Sequence, residues 1–179
     1  VFPFAILKPS FRETVWHEQG RHMDVMEPPK PRHRKGLPIV EVTAAILVKG
    51  DRVLIAQRPP GDRLAGLWEF PGGKLEDGET LQACLARELQ EEFGIAVTVG
   101  EALGESVYHY PHLSVRLLAF RTSIVDGTIR PMAHAAVKWV KVSELADHAF
   151  APADRPFVAR LANGAIPIQP AAPPKRNCS

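Results

Sequence analysis

Three glutamates within five positions, Glu88, Glu91 and Glu92, are the residues whose type and spacing point most directly to chemistry. On a helix that starts near Thr80, Leu81, Leu85, Leu89 and Phe93 form one apolar stripe that must face a core. Glu88 and Glu92 fall within that stripe and Glu91 at its edge, while Ala83, Ala86 and Gln90 occupy the opposite side. Like charges four residues apart repel, and when partly buried they cost far more unless something positive neutralises them. A solvated charged face is the ordinary fate of a Glu-rich helix, but this wheel argues against it. Hard divalent cations such as Mg2+ take carboxylate oxygens and keep several waters, so the trio can hold one or more ions beside a bound phosphate. Just upstream, Pro71-Gly72-Gly73 reads as a tight turn, and its glycines also let a carbonyl or amide approach a ligand closely.

The elements that must position these groups follow from the pattern on either side. Residues 39–48 and 52–57 are aliphatic, β-branched runs joined by the hairpin-like turn Lys49-Gly50-Asp51. A loop over 58–63 leads to Leu67-Trp68-Glu69-Phe70, and Gly94 suits the left-handed position that ends a helix. Residues 97–99 and 105–110 read as extended, Pro111-His112 breaks the strand, and 113–122 resumes it. Asp126-Gly127 is a turn, and 137–142 alternates apolar and basic residues as a strand does. Ser143 is expected to cap a short helix through Leu145, and a last helix follows Asp154 with Phe157, Val158 and Leu161 facing inward. Strands, helix, strands, helix without regular βα alternation predict an α+β fold, a mixed curved β-sheet between helices.

A chain of 179 residues with 45% hydrophobic content fits one ordinary domain with a sizeable core. Residues 1–38 end in a Pro-rich basic stretch and are read as an extension, largely disordered; 39–163 as the domain; and 164–179 as a Pro-rich tail. Met23 is an alternative start, with the preceding residues expected to contribute nothing to activity. The sequence pI of about 8.7 suggests nucleic acid at first sight. However, residues 1–38 hold seven Lys/Arg against four Asp/Glu and residues 164–179 two against none, leaving 13 against 16 in between. The basic excess lies in the ends, so no polynucleotide binding is expected. No apolar run spans a bilayer and the N-terminal patch is too short for a signal peptide, which reads as a cytoplasmic protein without membrane association. Cys84 and Cys178 match no zinc spacing and are read as free thiols.

Gly73, five residues, Glu79, seven residues, then Arg87-Glu88-Leu89-Gln90-Glu91-Glu92-Phe93-Gly94-Ile95 resembles the signature box of the Nudix hydrolases at every specified position. Glu69-Phe70-Pro71-Gly72-Gly73-Lys74, the Tyr110-Pro111-His112 break and Ala151-Pro152-Ala153-Asp154-Arg155-Pro156 are similar to the MutT-type branch of that family. The resemblance covers about residues 40–162 and implies an α/β/α sandwich. It implies hydrolysis of (deoxy)nucleoside triphosphates to monophosphate and pyrophosphate, with 8-oxo-dGTP or a related damaged nucleotide as the lead substrate. That would be nucleotide-pool sanitation by a monomer or homodimer. Glu88, Glu91, Glu92 and the Gly72 carbonyl are then the ligands of Mg2+, with Mn2+ as a substitute, and Glu79 and Arg87 are supports. Arg58 would contact the nucleotide and Lys74 the phosphate, Phe70 and Tyr110 would wall the base, and Asp154 would read it.

Each of these has a plainer alternative: a surface cation for Arg87, a solvated chain for Lys74, core packing for Phe70 and Tyr110, and a helix cap for Asp154. Two positions depart from the family pattern. The family places Asn where Asp154 stands, and an ionised Asp only accepts hydrogen bonds. Asp154 would therefore favour an amine or ring N–H, such as the 2-amino and N1–H edge of guanine or the 4-amino group of cytosine, which makes CTP or another pyrimidine triphosphate the rival substrate. Ala133 stands where an additional family glutamate often occurs; Glu101, Glu105 or His134 would assist the water instead, or the helix glutamates act alone. A hydrolase of another nucleoside diphosphate derivative and a non-catalytic nucleotide sensor are the remaining readings. The sensor is disfavoured because a pure binder has no need to maintain the repulsion among Glu88, Glu91 and Glu92.

Overall fold

Strand β1 (Ile39–Lys49) sends its side chains alternately into two cores, and the other elements are layered on those two faces. Ala44 and Ile46 join one core and Ala45 and Leu47 the other, as the period of two in a strand requires. β2 (Arg52–Gln57) divides in the same way, Val53 and Ile55 against Leu54 and Ala56. The structure is a computed structural model that describes residues 37–168. On one face lies helix α1 (Leu81–Phe93), which buries Cys84, Leu85, Leu89 and Phe93. On the other lies α2 (Arg155–Ala162), which buries Phe157 and Leu161. Each fully buried Leu or Phe contributes about 1.5–3 kcal/mol, so these two stripes fix the helices to the sheet and with them the direction in which α1 presents its glutamates.

Six strands make one mixed sheet in the order β3 (Trp68–Glu69), β2, β1, β5 (Ser114–Gly127), β4 (Ile95–His109), with β6 (Ala136–Lys141) antiparallel to β2. β5 runs parallel to β1 and antiparallel to β4. β1 and β2 pair only near their turn, Val48 opposite Val53 and Lys49 opposite Arg52. Beyond that they part, and the gap is filled by β3 and its continuation. β3 pairs with the far end of β2. The chain then crosses to β1, where Pro71 and Gly73 carbonyls accept from Ala45 N–H (2.7 Å) and Thr43 N–H (2.8 Å), and Leu75 N–H donates to the Glu41 carbonyl (3.0 Å). The other side of β3 is covered too: Trp68 N–H donates to Ala149 and its carbonyl accepts from Ala151, both at 2.8 Å, which brings the residues before α2 beside it.

Thr80 caps α1, its hydroxyl accepting the Ala83 N–H at 3.2 Å, and Gly94 ends it at φ 66°, donating to the Gln90 and Leu89 carbonyls. Elsewhere the structure differs from the sequence expectation in detail. Residues 97–99 and 105–109 are not separate strands; both belong to β4, which ends one residue short of the expected 110 and stays continuous by shifting register around residues 96–104. Gly104 takes φ 116°, a backbone conformation that residues with a side chain rarely adopt, so the bend favours glycine there. Ser143 does not cap a helix: the segment Val142–Asp147 is a 3-10 turn preceded by Lys141 without a side-chain cap, and Val142 N–H donates to the Asp51 carbonyl instead. Ile166, assigned to the tail, is buried with α2, because its N–H reaches back to the Arg160 carbonyl at 2.9 Å and its apolar side chain joins that core. Cys84 is a buried free thiol. The expected extension through residue 36, with Met23, and the tail from 169, with Cys178, lie outside the described residues. Among the described residues no helix is long and apolar enough to cross a membrane.

Candidate active site

A cleft of about 960 Å³ runs from α1 across the wedge 68–75 to the start of α2. Of the residues singled out from the sequence, Arg58, Phe70, Gly72, Lys74, Glu88, Glu92, Tyr110 and Asp154 line it. Glu79, Arg87 and Glu91 do not; they stand behind the carboxylates and are linked by Arg87.

Arg87 is the hub of the carboxylate end. Its Nε and Nη2 donate to the two oxygens of Glu79 at 2.9 and 3.0 Å, a fork that matches a planar carboxylate. Nη1 donates to Glu88 Oε1 at 2.9 Å and to Glu91 Oε2 at 3.2 Å, and Nη2 reaches the Lys74 carbonyl at 3.4 Å. The reading of Arg87 as a mere surface cation is thereby excluded. Its guanidinium holds Glu79 below the usual carboxylate range, with the Glu76 N–H assisting. Glu88 is drawn inward to 14% exposure, whereas Glu91 stays 59% exposed. A Cβ on Gly73 would overlap the Glu88 carboxylate, so that glycine makes the space in which Glu88 lies.

Glu92 is differently placed. One of its oxygens, Oε2, is buried without a hydrogen-bond partner, and its pKa is pushed up to about 7. Burial is the main cause; Glu88 and Glu69 add to it, and His134 and Arg58 oppose it. His134, 5% exposed, turns Nδ1 toward Glu92 Oε2 at 3.9 Å and Nε2 toward Glu69 Oε1 at 3.0 Å, with its ring stacked on Phe93. Glu69 also pairs with Arg58, which is forked onto Asp62 at 2.9 and 2.7 Å. The Arg58 charge is thus already engaged within the protein. Glu69 and Asp62 were not singled out from the sequence, and His134 appeared there only as one substitute among three. The signal available was the Glu of the Glu69-Phe70-Pro71-Gly72-Gly73-Lys74 run, which reads as the approach to a turn until its partners are seen. Glu101 and Glu105, the other two substitutes, point elsewhere: on β4 they pair with Arg121 and Arg116 at 2.8 and 2.6 Å.

At the opposite end Asp154 is 5% exposed, and its Oδ1 accepts the Phe70 N–H at 2.9 Å. It makes no side-chain cap, although it occupies the position preceding α2, so the helix-cap alternative fails. Burial, above all, pushes its pKa up to about 8; Glu69 adds to the rise, and the Phe70 N–H and Arg58 oppose it. Phe70 is both core and wall, 3% exposed and tilted against Phe150 at 5.4 Å. Tyr110, which lines the cleft, meets Tyr108 edge-on at 4.7 Å, and burial raises its phenol. Lys74 is exposed at the rim.

Among the described residues no three acidic, histidine or cysteine side chains converge as a ready metal cage. The residues nevertheless fit a hard divalent ion that is shared with a phosphate ligand. Such an ion needs only one or two carboxylates plus water and phosphate oxygens, and Glu88 and Glu92 both reach the cleft. The Glu92 side chain keeps 25% exposure and lines the cleft although one of its oxygens is buried, and Gly73 leaves room for Glu88. The Gly72 carbonyl is available as well: those of Pro71 and Gly73 are taken by β1, and alternation along the segment turns the carbonyl between them away. A side chain at 72 would strike the Thr43 carbonyl.

A model of the NUDIX domain matches residues 42–160. The chain is 43% identical over 124 residues to the protein named "Putative 8-oxo-dGTP diphosphatase 2" in Mycobacterium tuberculosis, covering 68% of this chain and 86% of that protein. It is 38% identical over 122 residues to CTP pyrophosphohydrolase of Escherichia coli, covering 68% and 90% respectively. The solution structure of the E. coli ORF135 protein is similar with a TM-score of 0.64 at 36% identity, over 76% of this chain and 96% of that one.

Proposed function

The chain belongs to the Nudix hydrolases, and from that premise we propose that it hydrolyses a nucleoside triphosphate to the monophosphate and pyrophosphate, with 8-oxo-dGTP as the lead substrate. The observation that carries the proposal is continuity. One cleft joins Glu88 and Glu92 of α1 to Phe70, Tyr110 and the buried carboxyl of Asp154, an arrangement that offers carboxylates to the phosphates of a ligand and aromatic rings to its base. Glu88, Glu91, Glu92 and the Gly72 carbonyl would hold a divalent cation, Mg2+ or Mn2+, whose chemistry when bound is to neutralise phosphate charge and make water a stronger nucleophile. Arg87 supplies the order on the protein side. By forking onto Glu79 and bonding Glu88 and Glu91, it sets the carboxylates before substrate arrives, so little reorganisation is left for the reaction. Lys74, exposed at the rim, donates to a phosphate oxygen, and Arg58 acts by anchoring Glu69 as well as by its place in the cleft.

Phe70 and Tyr110 flank the base and Asp154 reads it. A carboxyl with a pKa of about 8 is largely protonated at neutral pH. With one oxygen accepting from Phe70, its hydroxyl donates and its lone pairs accept, so it offers both functions as the amide of Asn does. The requirement for an amine on the base, drawn from an ionised Asp, is thereby relaxed, and an oxidised guanine fits. A second reading, CTP, is favoured by the similarity to the E. coli CTP pyrophosphohydrolase and by the same acceptor oxygen. Steady-state kinetics on 8-oxo-dGTP, dGTP and CTP with Mg2+ and with Mn2+, resolving pyrophosphate from orthophosphate, is the test. The highest kcat/KM is expected for 8-oxo-dGTP with pyrophosphate as product; orthophosphate release, or turnover confined to another diphosphate, would refute the reading.

A further inference from the structure

His134 lines the cleft, two residues before β6, and two contacts hold its ring. Nε2 lies 3.0 Å from Glu69 Oε1. The ring stacks on Phe93 with centroids 5.0 Å apart and planes 21° apart. Nδ1 faces Glu92 Oε2 at 3.9 Å. Nε2 is the ring atom that Glu69 holds, which leaves Nδ1 as the atom toward Glu92.

Glu92 Oε2 and His134 Nδ1 are buried, among the described residues, without a hydrogen-bond partner. Two orphaned polar atoms facing each other beyond hydrogen-bond reach add nothing to the fold. Their arrangement makes sense as a wall: the ring keeps water from Oε2, and the 25% exposure that remains to the Glu92 side chain lies on the cleft side. The wall is itself anchored, because Glu69 is paired with Arg58 and Arg58 with Asp62 on the loop at the cleft rim. The neighbouring Ala133 lines the cleft but brings no carboxylate.

We propose that His134 is a positioning residue for Glu92: clamped between Glu69 and Phe93, it fixes the carboxylate so that one oxygen is walled off and the other is presented to a cation in the cleft. The inference rests on the functional reading above. Partners that orient metal-binding groups typically change metal affinity or activity about 10–100-fold when removed.

Three variants separate positioning from packing. His134→Phe keeps the stack on Phe93 and loses both nitrogens. His134→Gln keeps a donor for Glu69, and Glu69→Gln keeps an acceptor for His134. Mn2+ affinity without nucleotide, by electron paramagnetic resonance, and kcat and KM for the triphosphate are measured beside the thermal midpoint. His134→Phe is expected to weaken Mn2+ binding and lower kcat by about 10–100-fold with KM for the nucleotide little changed, and His134→Gln to recover part of both. If His134→Phe or, should it not fold, His134→Gln binds Mn2+ and turns over like the parent, the inference is overturned while the functional reading stands. The same holds if affinity falls only in step with the thermal midpoint. A parent protein that neither binds Mn2+ nor releases pyrophosphate overturns both.

Discussion

Replacing Asp154 by Asn tests whether the carboxyl at the base end of the cleft is held as an acid. In the folded chain it is 5% exposed, accepts the Phe70 N–H at 2.9 Å, and has its pKa raised from 3.8 to about 8, chiefly by burial. Between those two values the folded state keeps a proton that the unfolded state has released, so stability falls as pH rises, by about 1.4 kcal/mol per pH unit. The contribution is fully present below the unfolded value and is lost by the time the pH passes the folded one. From about pH 5 to about pH 8 the cumulative loss is on the order of 3–4 kcal/mol. Asn keeps an oxygen for the Phe70 N–H and does not titrate, so Asp154→Asn should lack this slope. Urea unfolding of parent and variant at the two pH values supplies the comparison, since all other titrating groups are common to both. The stability gap should shift toward the variant by several kcal/mol at the higher pH. Parallel pH dependence would show that Asp154 is ionised in the fold, and the donor assigned to it for base reading would have to be withdrawn.

Gly73→Ala places a methyl where the Glu88 carboxylate lies; kcat should drop at least about 100-fold while far-ultraviolet circular dichroism stays unchanged, and a fully active variant would refute the placement of Glu88. Glu92→Gln should abolish pyrophosphate release and leave the fold intact, because it removes the charge of a carboxylate that burial already disfavours; unchanged turnover would remove Glu92 from the metal site. Arg87→Lys keeps one positive charge but cannot fork onto Glu79 while also bonding Glu88 and Glu91. It should weaken Mn2+ binding about 10–100-fold, measurable by calorimetry, with retained affinity counting against Arg87 as the organiser.

Thr80 and Gly94 were legible as helix ends because capping is local: a hydroxyl and a left-handed glycine act within one turn. Glu88 and Glu92 were legible for a similar reason, since a period of 3.6 residues already sets them on the buried side of Leu85 and Leu89. The bend in β4 was not, because residues 97–99 and 105–109 join only through pairing with β5 across register shifts. The depth at which Asp154 is buried was equally out of reach. It depends on β3 pairing with Ala149 and Ala151, a contact between segments about 80 residues apart.

By itself the sequence determined the carboxylate end of the cleft: the spacing from Gly73 to Ile95 specifies helix, caps, inward carboxylates and the family. Tertiary structure alone decided who neutralises whom. Glu69 with His134 and Arg58, and Asp154 with Phe70, are pairings between separate segments. The raised pKa of Asp154 depends on burial that no single segment possesses before the sheet and its two helical layers close around it.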